Sequence, residues 1–365
     1  MTMASVMNYQ LRSRIGLLLV LATLTACQLP SAQLTNTPKL NQSDRSPTTQ
    51  QTNLIGISFV KKDNLTNEYR GEIYPIALLI NGRYVDVSTD VTTSVRDDLS
   101  EDVLLRTFGN QSLLSAVQNF TVLAEGKKLG EFQVQKLGLS QFACSTKLTG
   151  QGNFSGERSL EAMFNSLPEA QVGGFSGSIG DKQFDESWRW TIALSQYNPA
   201  KNATATPDGT AEAKYRQDLT TTANALFSQN PQLQDVTGET VVEEISVVDL
   251  NQDSQPEVYG LVRKGTDPKN RSSRDARDAG VVGAYANVWL TYSNQQPQTL
   301  ASQVTPYSAI AARPAYDLIT TVDINGDGVQ EAIVRNTGYE STSFGIYEYK
   351  NNQLEQVFSG AGYGC

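Results

Sequence analysis

The chain has 365 residues, a formal net charge of −9, a pI of about 4.8 and 39% hydrophobic residues. It contains no histidine, which excludes every catalytic triad, zinc site or general base that depends on an imidazole. The acidic balance predicts no nucleic-acid partner, so carboxylate, hydroxyl and calcium chemistry remain.

The N-terminal segment predicts export and a lipid anchor. Arg12 and Arg14 precede an apolar run of about ten residues, the pattern of a secretory signal peptide. The segment ends in Leu24-Thr-Ala-Cys27, which resembles the lipobox of bacterial lipoproteins. The resemblance implies a signal peptide at 1–26, acylation of Cys27 and a chain anchored to a membrane of the cell envelope. An ordinary signal peptide with a chance cysteine is the alternative, and Gln28 leaves the choice between inner and outer membrane open.

Residues 27–53 predict a disordered tether between this anchor and the folded body. After Cys27 they are mostly Gln, Thr, Ser, Asn and Pro, which bury too little apolar surface to offset the entropy of ordering.

Two cysteines lie beyond the tether, Cys144 and Cys365. In an oxidising extracytoplasmic compartment they form either one disulfide or two independent thiols, and their spacing does not decide between these alternatives.

Residues 54–197 predict an N-terminal β domain. The predicted strands are 54–60, 73–80, 120–124, 128–134 and 188–194. Asn81-Gly82 predicts a type I′ hairpin turn, because both residues readily adopt positive φ. Residues 97–117 are weakly helical and interrupted by Gly109, whereas the glycine-rich stretch 173–180 predicts a loop that lacks phosphate-binding motifs.

Residues 198–209 have the composition of a linker, and residues 210–365 predict a second β domain that begins with one helix. Apolar residues recur at helical spacing over 211–228, and Pro231 ends the pattern. The predicted fold class is therefore mainly β (α+β), with an N-terminal β domain and a C-terminal β domain.

The C-terminal part contains an internal repeat. Residues 245–262 and 318–334 both read as an apolar strand, D-x-N-x-D, a glutamate four residues later and a second apolar strand. Oxygen ligands at alternate positions of a tight turn converge on one point, and six or so oxygen donors suit Ca²⁺. An EF-hand is excluded because its twelfth loop position, which must be acidic, is Val334 here.

The two loops are similar to the calcium loops of FG-GAP or VCBS-type repeats. The predicted ligands of the second loop are Asp323, Asn325, Asp327, the carbonyl of Val329, and Glu331. Those of the first loop are Asp249, Asn251, Asp253, the carbonyl of Gln255, and Glu257. The first loop is expected to bind more weakly, since Ser254 replaces Gly328 and Pro256 precedes the glutamate. A solvated acidic turn without metal is the alternative for each loop. Two blade-like units are too few for a closed propeller, so they predict a small sheet domain.

These features predict a non-enzymatic, membrane-anchored lipoprotein with structural calcium that binds an unknown protein or glycan, or supports the envelope. The alternative is an envelope enzyme that acts on a glycan through a carboxylate pair. Asp185 and Glu186 favour it, together with Trp188 and Trp190, which would stack on a sugar unless they pack in the core.

Overall fold

The computed structural model describes residues 52–91, 101–109, 112–142, 145–167, 175–179, 182–201, 209–266, 283–309, 314–338 and 341–364. All of them belong to one compact unit, Thr48–Cys365. The signal peptide, the tether, Cys27, Cys144, Cys365 and most of the predicted linker lie outside the described residues. Within the described ranges, no helix is both long and apolar enough to cross a membrane.

The structure confirms a mainly β fold. The first sheet contains β1 Thr52–Asp63, β2 Tyr69–Ile80, β3 Arg83–Asp86, β4 Asn119–Ala124, β5 Lys127–Phe142, β6 Ser145–Gly156, β7 Phe175–Ile179 and β8 Lys182–Leu194. The second sheet contains β9 Thr240–Val248, β10 Glu257–Gly265, β11 Gly283–Ser293 and β12 Gln296–Pro306. The third contains β13 Tyr316–Val322, β14 Glu331–Thr337, β15 Ser341–Lys350 and β16 Gln353–Gly364. The α-helices of the described part are α1 Glu101–Gly109, α2 Leu160–Ser166 and α3 Gly209–Gln229.

Six strands of the first sheet close into a ring, in the order β1-β2-β6-β5-β4-β8, and we call this ring the closed sheet. β8 pairs with β4 on one side and returns to β1 on the other, where Ile55 lies opposite Leu194. Every pair in the ring is antiparallel. β3 extends β2 through the predicted hairpin, and Asn81 and Gly82 have φ of 53° and 70°, as a type I′ turn requires. The predicted loop at 173–180 is wrong, because residues 175–179 form β7 along β8.

The second and third sheets are four-stranded antiparallel meanders built on the two copies of the repeat. Helix α3 covers the second sheet with Leu219, Ala223 and Phe227, which are fully buried. Its approach requires Gly260 in β10, because a Cβ there would lie 2.5 Å from a methyl carbon of Leu219.

The closed sheet and the third sheet share one apolar core. Trp190 of the closed sheet, 3% exposed, packs edge-on against Phe344 of β15 at a centroid distance of 5.8 Å. Trp188 is also buried in this core, so both tryptophans pack inside the protein. The division into two domains at 198–209 stays a prediction.

Candidate metal centre

The second loop of the repeat connects β13 to β14 and is held by its own acidic side chains. Asp323 is buried, and its Oδ1 and Oδ2 accept hydrogen bonds from the N–H groups of Gly326 at 2.5 Å and Gly328 at 3.0 Å. Asn325 Oδ1 accepts from Asp327 N at 2.8 Å, while Asp327 Oδ1 accepts from Val329 N at 2.8 Å. Each oxygen-bearing side chain is thus fixed by a backbone N–H of the turn.

Glu331, the first residue of β14, closes this loop from within the protein. Its side chain accepts from Ile324 N at 2.7 Å and from Asn325 Nδ2 at 2.8 Å. Glu331 is 1% exposed, and three acidic side chains act on it, Asp323, Asp327 and Glu348. Burial, aided by this repulsion, raises its pKa to about 9. The structure thus places a buried carboxyl group among negative charges.

The first loop, between β9 and β10, repeats this arrangement. Asp249 Oδ2 accepts from Ser254 N at 2.9 Å, and Asp253 Oδ1 accepts from Gln255 N at 2.7 Å. Glu257 has no exposed surface and accepts from Leu250 N at 2.8 Å.

The charges around Glu257 follow the same pattern. Burial raises its pKa to about 7, and Asp253 and Asp249 contribute to the shift. Asn325 donates to the glutamate of its loop, whereas Asn251 donates to Asp253 Oδ2 at 3.0 Å. The two loops therefore share their acidic pattern but differ in how the asparagine is used.

Both loops take positive φ at their fourth and sixth positions. The second loop has Gly326 and Gly328 there, with φ of 77° and 94°. The first loop has Gln252 and Ser254, with φ of 58° and 69°. A left-handed conformation costs a non-glycine residue roughly 1–2 kcal/mol. The first loop therefore has two strained positions where the second has glycine, of which sequence reasoning identified only Ser254, and its weaker binding stays a prediction.

The donor set of each loop suits Ca²⁺ in its chemistry, with carboxylate, amide and carbonyl oxygens at alternate positions. In the described part of the chain, however, no three acidic or cysteine side chains are grouped so that they would hold a metal ion. In the second loop, Glu331 Oε1 would bind a cation beside the hydrogen bond that it accepts from Asn325 Nδ2.

A tyrosine of β3, the strand that extends β2 outside the closed sheet, also lies beside the second loop. The hydroxyl group of Tyr84 in β3 is buried, and among the described residues it has no hydrogen-bond partner. Burial raises its pKa, with further contributions from Glu331 and Glu348. Sequence reasoning missed Tyr84 and Glu348, because no local pattern connects them with the loop.

Asp185 and Glu186, the acidic residues that favour the glycan-enzyme alternative, lie in different environments. Asp185 is exposed, whereas Glu186 is buried and accepts from Trp188 Nε1 at 3.0 Å. The structure instead brings Glu186 near Glu72, since Arg70 contacts both, at 2.5 Å and 3.2 Å respectively. Lys61, 1% exposed, lies 2.8 Å from Glu72.

The ionisation of this buried cluster follows from its charges. Burial alone would raise the pKa of Glu72, but the charge and hydrogen bond of Lys61, the hydrogen bond of Ser140 and the charge of Arg70 together outweigh burial and lower that pKa. Burial lowers the pKa of Lys61, against the opposing attraction of Glu72. Both glutamates are thus engaged by cationic side chains.

No model of a known protein family matches the chain. No curated protein matches it either.

Proposed function

We propose that this protein is a non-enzymatic, lipid-anchored lipoprotein of the bacterial cell envelope whose C-terminal sheets are stabilised by calcium at the two repeat loops. In this proposal the anchored body presents a binding surface or a scaffold outside the cytoplasm. The lipid anchor is supported by the sequence around Cys27 alone.

One observation carries the calcium assignment: each loop buries a glutamate among groups of its own charge. Glu257 and Glu331 occupy equivalent positions, are 0% and 1% exposed, and each has its pKa raised by the aspartates of its own loop. A buried charge is costly unless it is paired or coordinates a metal. A divalent cation would turn this repulsion into attraction in both loops.

The second loop offers the more complete set of ligands. Asp323, Asp327 and Glu331 would supply carboxylate oxygens, with Asn325 and the carbonyl of Val329 completing the set. Calcium is favoured over magnesium because it accepts six to eight oxygens in irregular geometry, whereas magnesium requires a near-ideal octahedron.

Direct calcium binding by isothermal titration calorimetry tests the proposal. We expect dissociation constants of roughly 10⁻⁴ to 10⁻³ M, the range of extracellular modules. The double variant Asp323→Ala, Asp327→Ala is expected to lose the binding of the second loop. A matched control removes Asp235 and Glu239, two exposed acidic residues outside the loops, and is expected to bind like the wild type. No calcium binding by the wild-type chain would refute the assignment.

The alternative of a glycan-acting enzyme gains no observation of its own from the described residues. Glu72 and Glu186 are held by Lys61 and Arg70, which suits a structural ion-pair cluster. We therefore propose no second function.

A further inference from the structure

The two repeat loops are joined by one buried backbone hydrogen bond. The N–H of Gln330 in the second loop donates to the carbonyl oxygen of Leu250 in the first, at an N···O distance of 2.7 Å. Both residues have no exposed surface. Breaking this bond would leave a buried donor and a buried acceptor without partners, which is costly.

The position of this bond within each loop matters more than its strength. Leu250 lies between Asp249 and Asn251, the first two predicted ligands of the first loop. Gln330 lies between Val329 and Glu331, the last two predicted ligands of the second loop. A rearrangement of either ligand pair therefore displaces the backbone that holds the other pair.

We propose that the two loops bind calcium cooperatively, with the Gln330–Leu250 hydrogen bond as the coupling element. This inference rests on the proposed calcium function. The first ion to bind orders the shared backbone segment. The binding of the second ion then no longer includes the entropy cost of ordering that segment. Linkage requires the effect to be reciprocal, and coupling of this kind typically changes affinity by about 5- to 150-fold.

The repeat itself supplies a variant that removes only the coupling donor. The residue equivalent to Gln330 in the first loop is Pro256, which has no N–H. Gln330→Pro therefore deletes the donor with a residue that the other copy of the loop accommodates. Gln330→Ala is the matched control, because it keeps the N–H and removes a side-chain amide that has no partner among the described residues.

The experiment is calcium titration calorimetry on the full chain and on four variants. Asp253→Ala and Asp327→Ala disable one loop each at equivalent, exposed positions. We expect the remaining loop of each variant to bind at least about fivefold more weakly than the same loop binds in the wild type when its neighbour is filled. Gln330→Pro should bind two ions with the weaker, single-loop affinities, whereas Gln330→Ala should remain cooperative.

The outcomes separate the two proposals. If the wild-type isotherm equals the sum of the two single-loop isotherms, calcium binds but the coupling is refuted. If no protein in the series binds calcium, the proposed function itself fails. Far-UV circular dichroism checks that Gln330→Pro is folded. If it is not folded, comparing the wild-type isotherm with those of Asp253→Ala and Asp327→Ala still decides whether the two loops are coupled.

Discussion

Removing the acidic residues of the second loop should abolish most of the stabilisation of this protein by calcium. A ligand that binds only the folded state stabilises it by RT ln(1 + [L]/Kd). At about 2 mM calcium, a Kd of roughly 0.1 mM gives about 1.8 kcal/mol, and a Kd of roughly 1 mM gives about 0.6 kcal/mol. We assign the larger value to the second loop, where Gly326 and Gly328 take positive φ without strain. The smaller value belongs to the first loop, with its strained Gln252 and Ser254.

Thermal unfolding followed by circular dichroism, with calcium and with EGTA, measures these values. For a body of this size about 1 kcal/mol shifts the Tm by roughly 2 °C, so two independent loops would together give about 5 °C. The coupling proposed above should raise the gain of the wild type beyond this sum. Asp323→Ala with Asp327→Ala should leave a gain of about 1 °C, and Asp249→Ala with Asp253→Ala a gain of about 4 °C. Magnesium at the same concentration should act less strongly. An equal calcium shift in the wild type and in the Asp323, Asp327 variant would refute the assignment of the second loop.

Three further predictions concern the rest of the chain. Glu72→Gln should cost about 3–5 kcal/mol in urea unfolding at neutral pH, because it leaves Lys61 buried without its partner. The pKa of Glu72 lies below its ordinary 4.5, so the ionised carboxylate stabilises the folded state above that pH. The wild type should lose this stabilisation below about pH 4.5, whereas the variant has no carboxylate to protonate at this position and should show no such loss. Gly260→Ala should lower the free energy of unfolding by about 1–3 kcal/mol, because the new methyl group overlaps Leu219 of α3; an unchanged midpoint would contradict this packing. Cys27→Ser should move the protein from the membrane fraction to the soluble fraction of cells, and unaltered fractionation would refute the lipid anchor.

Local features of the fold could be predicted from the sequence because a few neighbouring residues determine them. Asn81-Gly82 forms the predicted turn, since both residues accept positive φ. The face of α3 that carries Leu219, Ala223 and Phe227 is buried, as the helical spacing predicted. Helix α1 ends at Gly109, where the weakly helical pattern is interrupted.

Long-range features could not be predicted in this way. Neither the pairing of Ile55 with Leu194, which closes the ring, nor the packing of Trp190 on Phe344 has a signal in one sequence. The stretch 173–180 was assigned to a loop because of its glycines, yet β7 forms there along one side of β8. Glycine weakens a strand but does not prevent it when a neighbouring strand supplies the hydrogen bonds.

The candidate site shows the same division between local and long-range information. The spacing of the acidic residues identifies each loop, but it does not show how the loops are attached to the protein. That attachment depends on the apolar residue after the first aspartate, Leu250 in one loop and Ile324 in the other. Both side chains are buried, and the N–H of each donates to the glutamate that closes its own loop.

The carbonyl oxygen of each of these residues accepts a hydrogen bond from the next part of the structure. Leu250 accepts from Gln330 N of the other loop, and Ile324 accepts from Asn53 Nδ2 of the closed sheet at 3.0 Å. The acidic turns are therefore joined to the core through their second residue, rather than projecting from the surface as independent hairpin tips. A cation that fixes the carboxylates on either side of that residue would also fix the contact between sheets. For this reason we expect calcium to act on the stability of the whole folded body and not only on the two turns.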